Sequence, residues 1–383
     1  MVPFALNTPT RIIFGRGRAA GLPEEVAARG RRVLLVRGRS VAWADTCTAL
    51  LRDLGCTVSV LHSAGEPDLP QIEAALARYR DDRPDCVLAI GGGATLDLAK
   101  ALAALLPASR PPLIYLEGVG GGQPLDAEPL PFVACPTTSG TGAEATKNAV
   151  IGVPSHGRKV SLRDDRMLAV LALVDPALTD NCPRAVTLAS GLDAITQVIE
   201  PYLSCRANAL TDALCRDAIP RGLRALARLM SDEDADARDD MALTSLFGGI
   251  ALANAGLGAV HGLAGVIGGR FATPHGAICG RLLAPVLRLN EVKVAEAGLD
   301  TMRFAEVRVW IATELGGNPA DAFDTLECWA TLHGLPTLRA LMASEADVGQ
   351  IAEESTAASS MRANPVPLAK DRLEQLLATE LSG

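Results

Sequence analysis

Over the first 180 residues, short apolar runs closed by Gly, Thr, Ser or Pro alternate with stretches of helical spacing, and after Pro183 the apolar runs all but stop. The runs are Arg31 to Gly38 (RRVLLVRG), CTVSVL from Cys56, Asp85 to Gly93 (DCVLAIGGG), Leu130 to Gly142 (LPFVACPTTSGTG) and Met167 to Pro176 (MLAVLALVDP). Between them, Ala44 to Leu54 and the segment PQIEAALARYRDD carry apolar residues at helical spacing. Unbroken apolar strands alternating with helices of this length make a parallel sheet covered by helices. Leu188 to Leu203, Leu210 to Met230 and Met241 to Val260 read as helices, as do most later segments. The expected organisation is an α/β domain with a parallel sheet over 1–182 and an all-α domain over 183–383.

Several function classes are excluded by composition. Lys plus Arg number 36 against 44 Asp plus Glu, a net charge of −8, which is the wrong sign for gripping a phosphate backbone. Aromatic residues are only 3%, too few for stacking platforms on single strands, so no nucleic-acid partner is expected. The nine cysteines, from Cys47 to Cys328, include no C-x-x-C pair, unlike a disulfide scaffold or a zinc ribbon. Met241 to Gly269 is uncharged and long enough to span a bilayer, yet its eight glycines, Asn254 and His261 read as a buried helix and turn. With no signal peptide visible either, no membrane partner is expected and the cytoplasm is the expected address. The acidic run Ser231 to Asp240 reads as a solvated loop between helices.

Two loops at the carboxyl ends of strands carry the binding chemistry. Gly91-Gly92-Gly93-Ala94-Thr95-Leu96-Asp97 follows a strand and opens a helix, so backbone N–H groups and a partial positive charge face any anion placed there. Pro136-Thr137-Thr138-Ser139-Gly140-Thr141-Gly142 is rich in hydroxyls and free N–H groups, able to hold phosphate or ribose; it also reads as a helix start capped by Thr138 or Thr141. In the helical half, Asp193 and Gln197 stand four apart on one helix face, and His261 and His275 flank an uncharged stretch. A carboxylate and two imidazoles suit Fe²⁺ or Zn²⁺, although each histidine alone could equally be a neutral, hydrogen-bonded core residue. Cys279, shortly after the second histidine, could lie near the cleft, and reads more readily as a small packing residue.

GGGATLDLAK, PTTSGTGAEAT, GLDAITQVIEPYLS and GAVHGLAGVIGGRFATPHG occur in order along the chain. Together they resemble the iron-containing alcohol dehydrogenase family, over essentially the whole sequence. The resemblance implies a dinucleotide-binding N-terminal domain, a helical metal-binding domain, an active site in the cleft and a homodimer. It implies that Gly92, Gly93, Ala94 and Asp97 surround the cofactor diphosphate, that Thr137, Thr138 and Thr141 line the cofactor, and that Asn148 and Lys159 lie toward the ribose and nicotinamide. Asp193, His261 and His275 match three of the family's four metal positions.

Two departures stand out. The family usually places its fourth metal ligand, a histidine, where this chain has Gln197, whose carbonyl oxygen can ligate a cation as a weaker donor. The expected ligand set is Asp193, Gln197, His261 and His275, with a lower affinity, a different metal or an empty site as the consequences the glutamine allows. A further histidine of the family, used for cofactor contact or proton relay, is replaced by Gly265, which leaves bound water as the expected proton donor. Relatives that prefer NAD tend to carry an Asp after the first nucleotide-binding strand. Here Arg37-Gly38-Arg39-Ser40 offers arginines and no carboxylate, favouring NADP over NAD. The expected function is metal-assisted hydride transfer between NAD(P)(H) and a small alcohol or aldehyde, with Asn148, Arg163, Phe247 and Phe271 as pocket guesses. The alternatives are a metal-free reductase resembling maleylacetate reductase, a lyase resembling dehydroquinate synthase (which shares the architecture), and a non-catalytic nucleotide-binding protein.

Overall fold

The structure is a computed structural model that describes residues 3–271, 273–342 and 347–382. It divides into two compact units. One comprises residues 7–138 and 142–180; the other gathers the 181–383 segment together with Ser139–Thr141 and the extreme N-terminus.

The first unit is built on β1 (Ile12–Phe14), α1 (Leu22–Ala27), β2 (Arg32–Arg37), α2 (Trp43–Asp53), β3 (Thr57–His62), α3 (Leu69–Tyr79), β4 (Cys86–Gly91), α4 (Gly93–Leu105), β5 (Phe132–Pro136), β6 (Asn148–Val153), β7 (Arg158–Arg163) and β8 (Leu171–Val174). Six strands form one sheet in the order β1-β8-β5-β4-β2-β3, every neighbouring pair parallel. The runs in β4, β5 and β8 are buried along their whole length because helices cover both faces, which is why they read as unbroken apolar segments. Strand order reverses between β2 and β4, and the loops after these two strands therefore open the crevice where doubly wound sheets bind ligands.

β6 and β7 form a separate antiparallel hairpin, Asn148 opposite Arg163 and Gly152 opposite Lys159. The PTTSGTG stretch departs from the reading as a capped helix start. Only a three-residue 3₁₀ turn, Ala143–Ala145, follows it, and the residue before that turn is Gly142 at φ 55°, not a threonine.

The second unit is helical: α5 (Arg184–Leu203), α6 (Ala209–Leu229), α7 (Ala235–Ala255), α8 (Ala259–Arg270), α9 (His275–Glu296), α10 (Met302–Leu315), α11 (Ala322–Leu332), α12 (Leu338–Leu341), α13 (Val348–Thr356) and α14 (Lys370–Ser382). The uncharged stretch breaks at Gly256, where φ is 73°, so α7 and α8 meet at a bend of 100°. No single helix among the described residues is long and apolar enough to cross a membrane. The acidic run is not a free loop. Asp234 caps α7 by accepting the Ala237 N–H at 3.0 Å, and Glu233, Asp234 and Asp240 pair with Arg238, Arg228 and Arg221. Carboxylates at a helix N-terminus meet the positive end of its dipole.

Candidate active site

In the first unit three loops converge at the carboxyl end of the sheet. The Gly38 N–H donates to Ile90 O (3.0 Å) and the Thr137 N–H donates to Gly91 O (2.9 Å), tying the loops after β2 and β5 to the glycine turn after β4. Gly92 precedes α4 with no side-chain cap, and a Cβ there would stand 3.1 Å from Thr138 Oγ1, so the approach of the two loops depends on glycine. Ala94 lies in the first turn of α4. Asp97 accepts the Val150 N–H at 3.0 Å, which joins α4 to the hairpin. Asn148 opens that hairpin, and Lys159 on β7 pairs with Glu66. Arg163 pairs with Glu117 at 2.9 Å.

The two arginines after β2 have different surroundings. Arg37 is buried and turned inward, its guanidinium pairing with Asp45 on α2 and donating to Val41 O at 2.6 Å. Arg39 and Ser40 are exposed.

In the helical unit, Asp193 and Gln197 lie on α5, His261 on the first turn of α8, and His275 and Cys279 one turn apart on α9. One ligand atom from each of Asp193, His261, His275 and Cys279 falls within 4.8 Å of all the others. Cys279 is fully buried in the helical core, as the packing reading expects, and it also stands at the edge of this cluster, with Sγ 3.5 Å from His275 Nε2. Two glycines make the convergence possible. A Cβ on Gly276 would lie 2.4 Å from Ala189 O and one on Gly280 would lie 2.7 Å from Leu192 Cδ1, so α9 lies against α5 with almost no space between them. Gly276→Ala is expected to force the helices apart and destabilise the protein by about 1–3 kcal/mol, the usual cost of overpacking, read as a lowered thermal midpoint.

Glu200 is a site residue that sequence reasoning passed over. It stands seven residues beyond Asp193 on the same face of α5, a spacing that could have flagged it. Its Oε1 accepts the Val260 N–H at 2.7 Å and its Oε2 lies 2.6 Å from His261 Nδ1. A carboxylate there holds the proton on Nδ1 and leaves Nε2 with its lone pair directed at the cluster. His261 Nε2 stands 3.3 Å from Asp193 Oδ1, yet Oδ1 is buried without any hydrogen bond among the described residues. A buried carboxylate oxygen left in this state is costly unless a positive charge meets it, and a carboxylate and two imidazoles gathered around one point fit a divalent metal.

The charges point the same way. Burial works against the Asp193 carboxylate, but the contact with His261 and the charge of His275 more than offset it and hold the group below its ordinary range. Burial would likewise favour neutral imidazoles. Cys279 and Asp193 outweigh it, pushing His275 up to about 9 and His261, helped by Glu200, well above its usual value. Without a metal, the cluster therefore recruits protons as its positive charge. Gln197 is buried beside it, its amide Nε2 donating to Gly140 O at 2.9 Å.

Residues 9–176 match the family model "Iron-containing alcohol dehydrogenase", and residues 187–381 match "Fe-containing alcohol dehydrogenase family, C-terminal". The chain belongs to the iron-containing alcohol dehydrogenase family. It is 37% identical to long-chain-alcohol dehydrogenase 1 of Geobacillus thermodenitrificans over 278 residues, 70% of each chain. It is 32% identical to lactaldehyde reductase of Escherichia coli K12, over 77% of this chain and 78% of that one. A crystal structure of 1,3-propanediol oxidoreductase superposes with a TM-score of 0.87 at 27% identity, covering 99% of this chain and all of the other. As a member of the iron-containing alcohol dehydrogenases, the chain is an oxidoreductase that exchanges a hydride between alcohol or aldehyde and NAD(P)(H), a chemistry for which the family implies a divalent metal.

Proposed function

We propose that Asp193, His261 and His275 hold a divalent cation, Fe²⁺ or Zn²⁺, and that the substrate is a small alcohol or aldehyde. The observation carrying this reading is the buried Asp193 Oδ1 without a hydrogen bond, facing two imidazoles. Without a metal, the charge facing that oxygen has to come from a protonated His261, whose Nε2 stands 3.3 Å away. When bound, the cation supplies Lewis acidity toward an alcohol or carbonyl oxygen. The protein's own groups orient and shield. Glu200 fixes the His261 tautomer, Asp193 offsets positive charge, and burial of the cluster excludes bulk water from it. Gly265 gives α8 no proton-relay side chain at that position, and a Cβ there would meet nothing within 4 Å; a bound water is the proposed proton donor and acceptor.

The glycine turn at Gly92-Gly93-Ala94 is proposed to take the cofactor diphosphate, with Asp97 holding α4 to the hairpin beside it. Thr137, Thr138 and Thr141 are proposed to line the cofactor, and Asn148 and Lys159 to lie toward the ribose and nicotinamide. Gly38, Arg39 and Ser40 are proposed to take the adenosine ribose end, with NADP favoured over NAD. Since Arg37 is engaged by Asp45, Arg39 is the arginine available to a 2′-phosphate. Arg39→Ala is expected to raise the KM for NADPH about 10-fold and leave that for NADH nearly unchanged, as loss of one charge-assisted contact predicts. Equal effects on the two cofactors would remove the argument for NADP. A homodimer in the cytoplasm completes the proposal.

The deciding experiment is metal content per chain, measured by mass spectrometry on protein purified without chelators or a histidine tag, alongside alcohol- and aldehyde-dependent change in reduced-nicotinamide absorbance. Near-stoichiometric metal with turnover supports the reading. Turnover in protein that takes up neither Fe²⁺ nor Zn²⁺ would overturn the metal site and leave a metal-free reductase.

A further inference from the structure

We propose that Cys279 supplies the fourth protein ligand of the metal site, through its Sγ as thiolate, so that the donor set is Asp193, His261, His275 and Cys279. The inference rests on the reading that this cluster holds a divalent cation. It concerns which side chain takes the position left open by Gln197.

Four observations converge. Cys279 and His275 are one helical turn apart on α9 and project from one face, bringing Sγ to 3.5 Å from His275 Nε2. Ligand atoms around a tetrahedral cation stand roughly 3.3–3.8 Å apart, given bonds of about 2.0–2.3 Å. The four donor atoms, all within 4.8 Å of one another, need only a small contraction to reach that spacing. Second, Asp193 Oδ1 is buried without a hydrogen bond, so the cluster already has an acceptor awaiting a cation. Third, the Gln197 amide uses its nitrogen to donate to Gly140 O, which anchors the side chain to the backbone of the Ser139–Thr141 segment. Fourth, Gly280, directly after Cys279, permits the close approach of α9 to α5, and the cysteine itself is fully buried and free of any disulfide.

The chemistry balances simply. The thiol proton leaves to solvent as the cation binds, and the thiolate sulfur donates its electron pair to the cation. Asp193 and the thiolate together neutralise the two positive charges, which an Asp and three imidazoles would not do. A sulfur donor also softens the site, shifting its preference toward Zn²⁺ over Fe²⁺.

The test uses Co²⁺ as a spectroscopic probe, added to the 383-residue chain purified free of metal. The expected result is a thiolate-to-cobalt charge-transfer band in the near ultraviolet together with visible ligand-field bands of tetrahedral intensity. In Cys279→Ser and Cys279→Ala the near-ultraviolet band is lost while the visible bands remain, altered in shape. In Gln197→Ala the band persists. Zn²⁺ affinity, measured by competition with a chromophoric chelator, is expected to fall about 10–100-fold in both cysteine variants. Visible bands without a charge-transfer band in the unmodified chain would overturn the cysteine ligand and leave the cation site standing. Failure of the unmodified chain to bind Co²⁺ at all would overturn both, and this reading needs no variant to fold.

Discussion

Asp193→Asn is expected to strip the divalent cation from the purified protein and lower kcat/KM by about 10³-fold or more, equivalent to roughly 4 kcal/mol of lost transition-state stabilisation. The substitution keeps the shape of the side chain and removes its charge. Asparagine presents one neutral oxygen and an NH₂ that turns donors toward a cluster built to receive a cation. The side chain is 3% exposed, so water cannot make good the loss. The check is metal per chain by mass spectrometry together with steady-state rates, on protein whose far-ultraviolet circular dichroism matches the parent. A second readout needs no metal. Asp193 is one of the groups holding His275 at about 9, so in the metal-free variant that imidazole should titrate lower, moving toward its ordinary range, as followed by proton NMR. Retention of stoichiometric metal in Asp193→Asn would mean that the carboxylate is not a ligand.

How far the site could be read without coordinates differs from residue to residue. The glycine turn after β4 was legible because two local signals coincide there, an unbroken apolar strand and a cluster of glycines opening a helix. Asp193 and Gln197 could be placed on one face by spacing alone. Glu200 obeys the same spacing, but a carboxylate that acts through a histidine on another helix gives no local sign of its partner. Packing was legible for Cys279, but its approach to Asp193 was not, because that is decided by how closely α9 lies against α5, a tertiary consequence of Gly276 and Gly280. Arg37 illustrates the same limit in the other unit. It sits beside Gly38 in the sequence like any nucleotide-facing arginine, but the start of α2 brings Asp45 to its guanidinium. The β6–β7 hairpin went unread because its strands are short and half-exposed, and six residues with a Pro-Ser-His-Gly turn carry little alternation to detect. The bounds of α6 followed periodicity to within a residue, whereas α5 begins four residues before Leu188, and α7 begins at Ala235 inside the acidic run and ends at Ala255 instead of running on to Val260.

Lys100→Met should be the most damaging substitution away from both binding sites. Lys100 lies on α4 at 1% exposure, its Nζ donating to Ala143 O and Thr146 Oγ1 at 2.7 Å and to Asn148 O at 2.9 Å. Three acceptors around one nitrogen match the three protons of an ammonium, and they tie α4 to the turn after Gly142 and to the first residue of the hairpin. Burial pulls the Lys100 pKa down to about 8, with Asp97 and Glu144 resisting, so the group remains mostly charged at neutral pH. Glu144 in turn is pushed up to about 7 by burial, with Lys100 opposing the rise. Methionine fills much of the volume but removes the three short contacts of the ammonium, leaving the carbonyls of Ala143 and Asn148 the longer contacts from Thr146 Oγ1 at 3.3 and 3.4 Å, at an expected cost of about 3 kcal/mol. For a chain of this size that corresponds to a fall of roughly 4 °C in the thermal midpoint. The pH dependence gives a sharper check. Because the folded pKa lies below the unfolded one, the contribution of this ionisation to stability is present above the unfolded value of 10.5 and is lost as pH falls through about 8. The stability gap between parent and Lys100→Met should accordingly be smallest below pH 8 and widen by up to roughly 3 kcal/mol toward pH 10.5. A gap that stays constant across that interval in denaturant titrations would show that the ammonium is not desolvated, and the three-acceptor site would then be open to water.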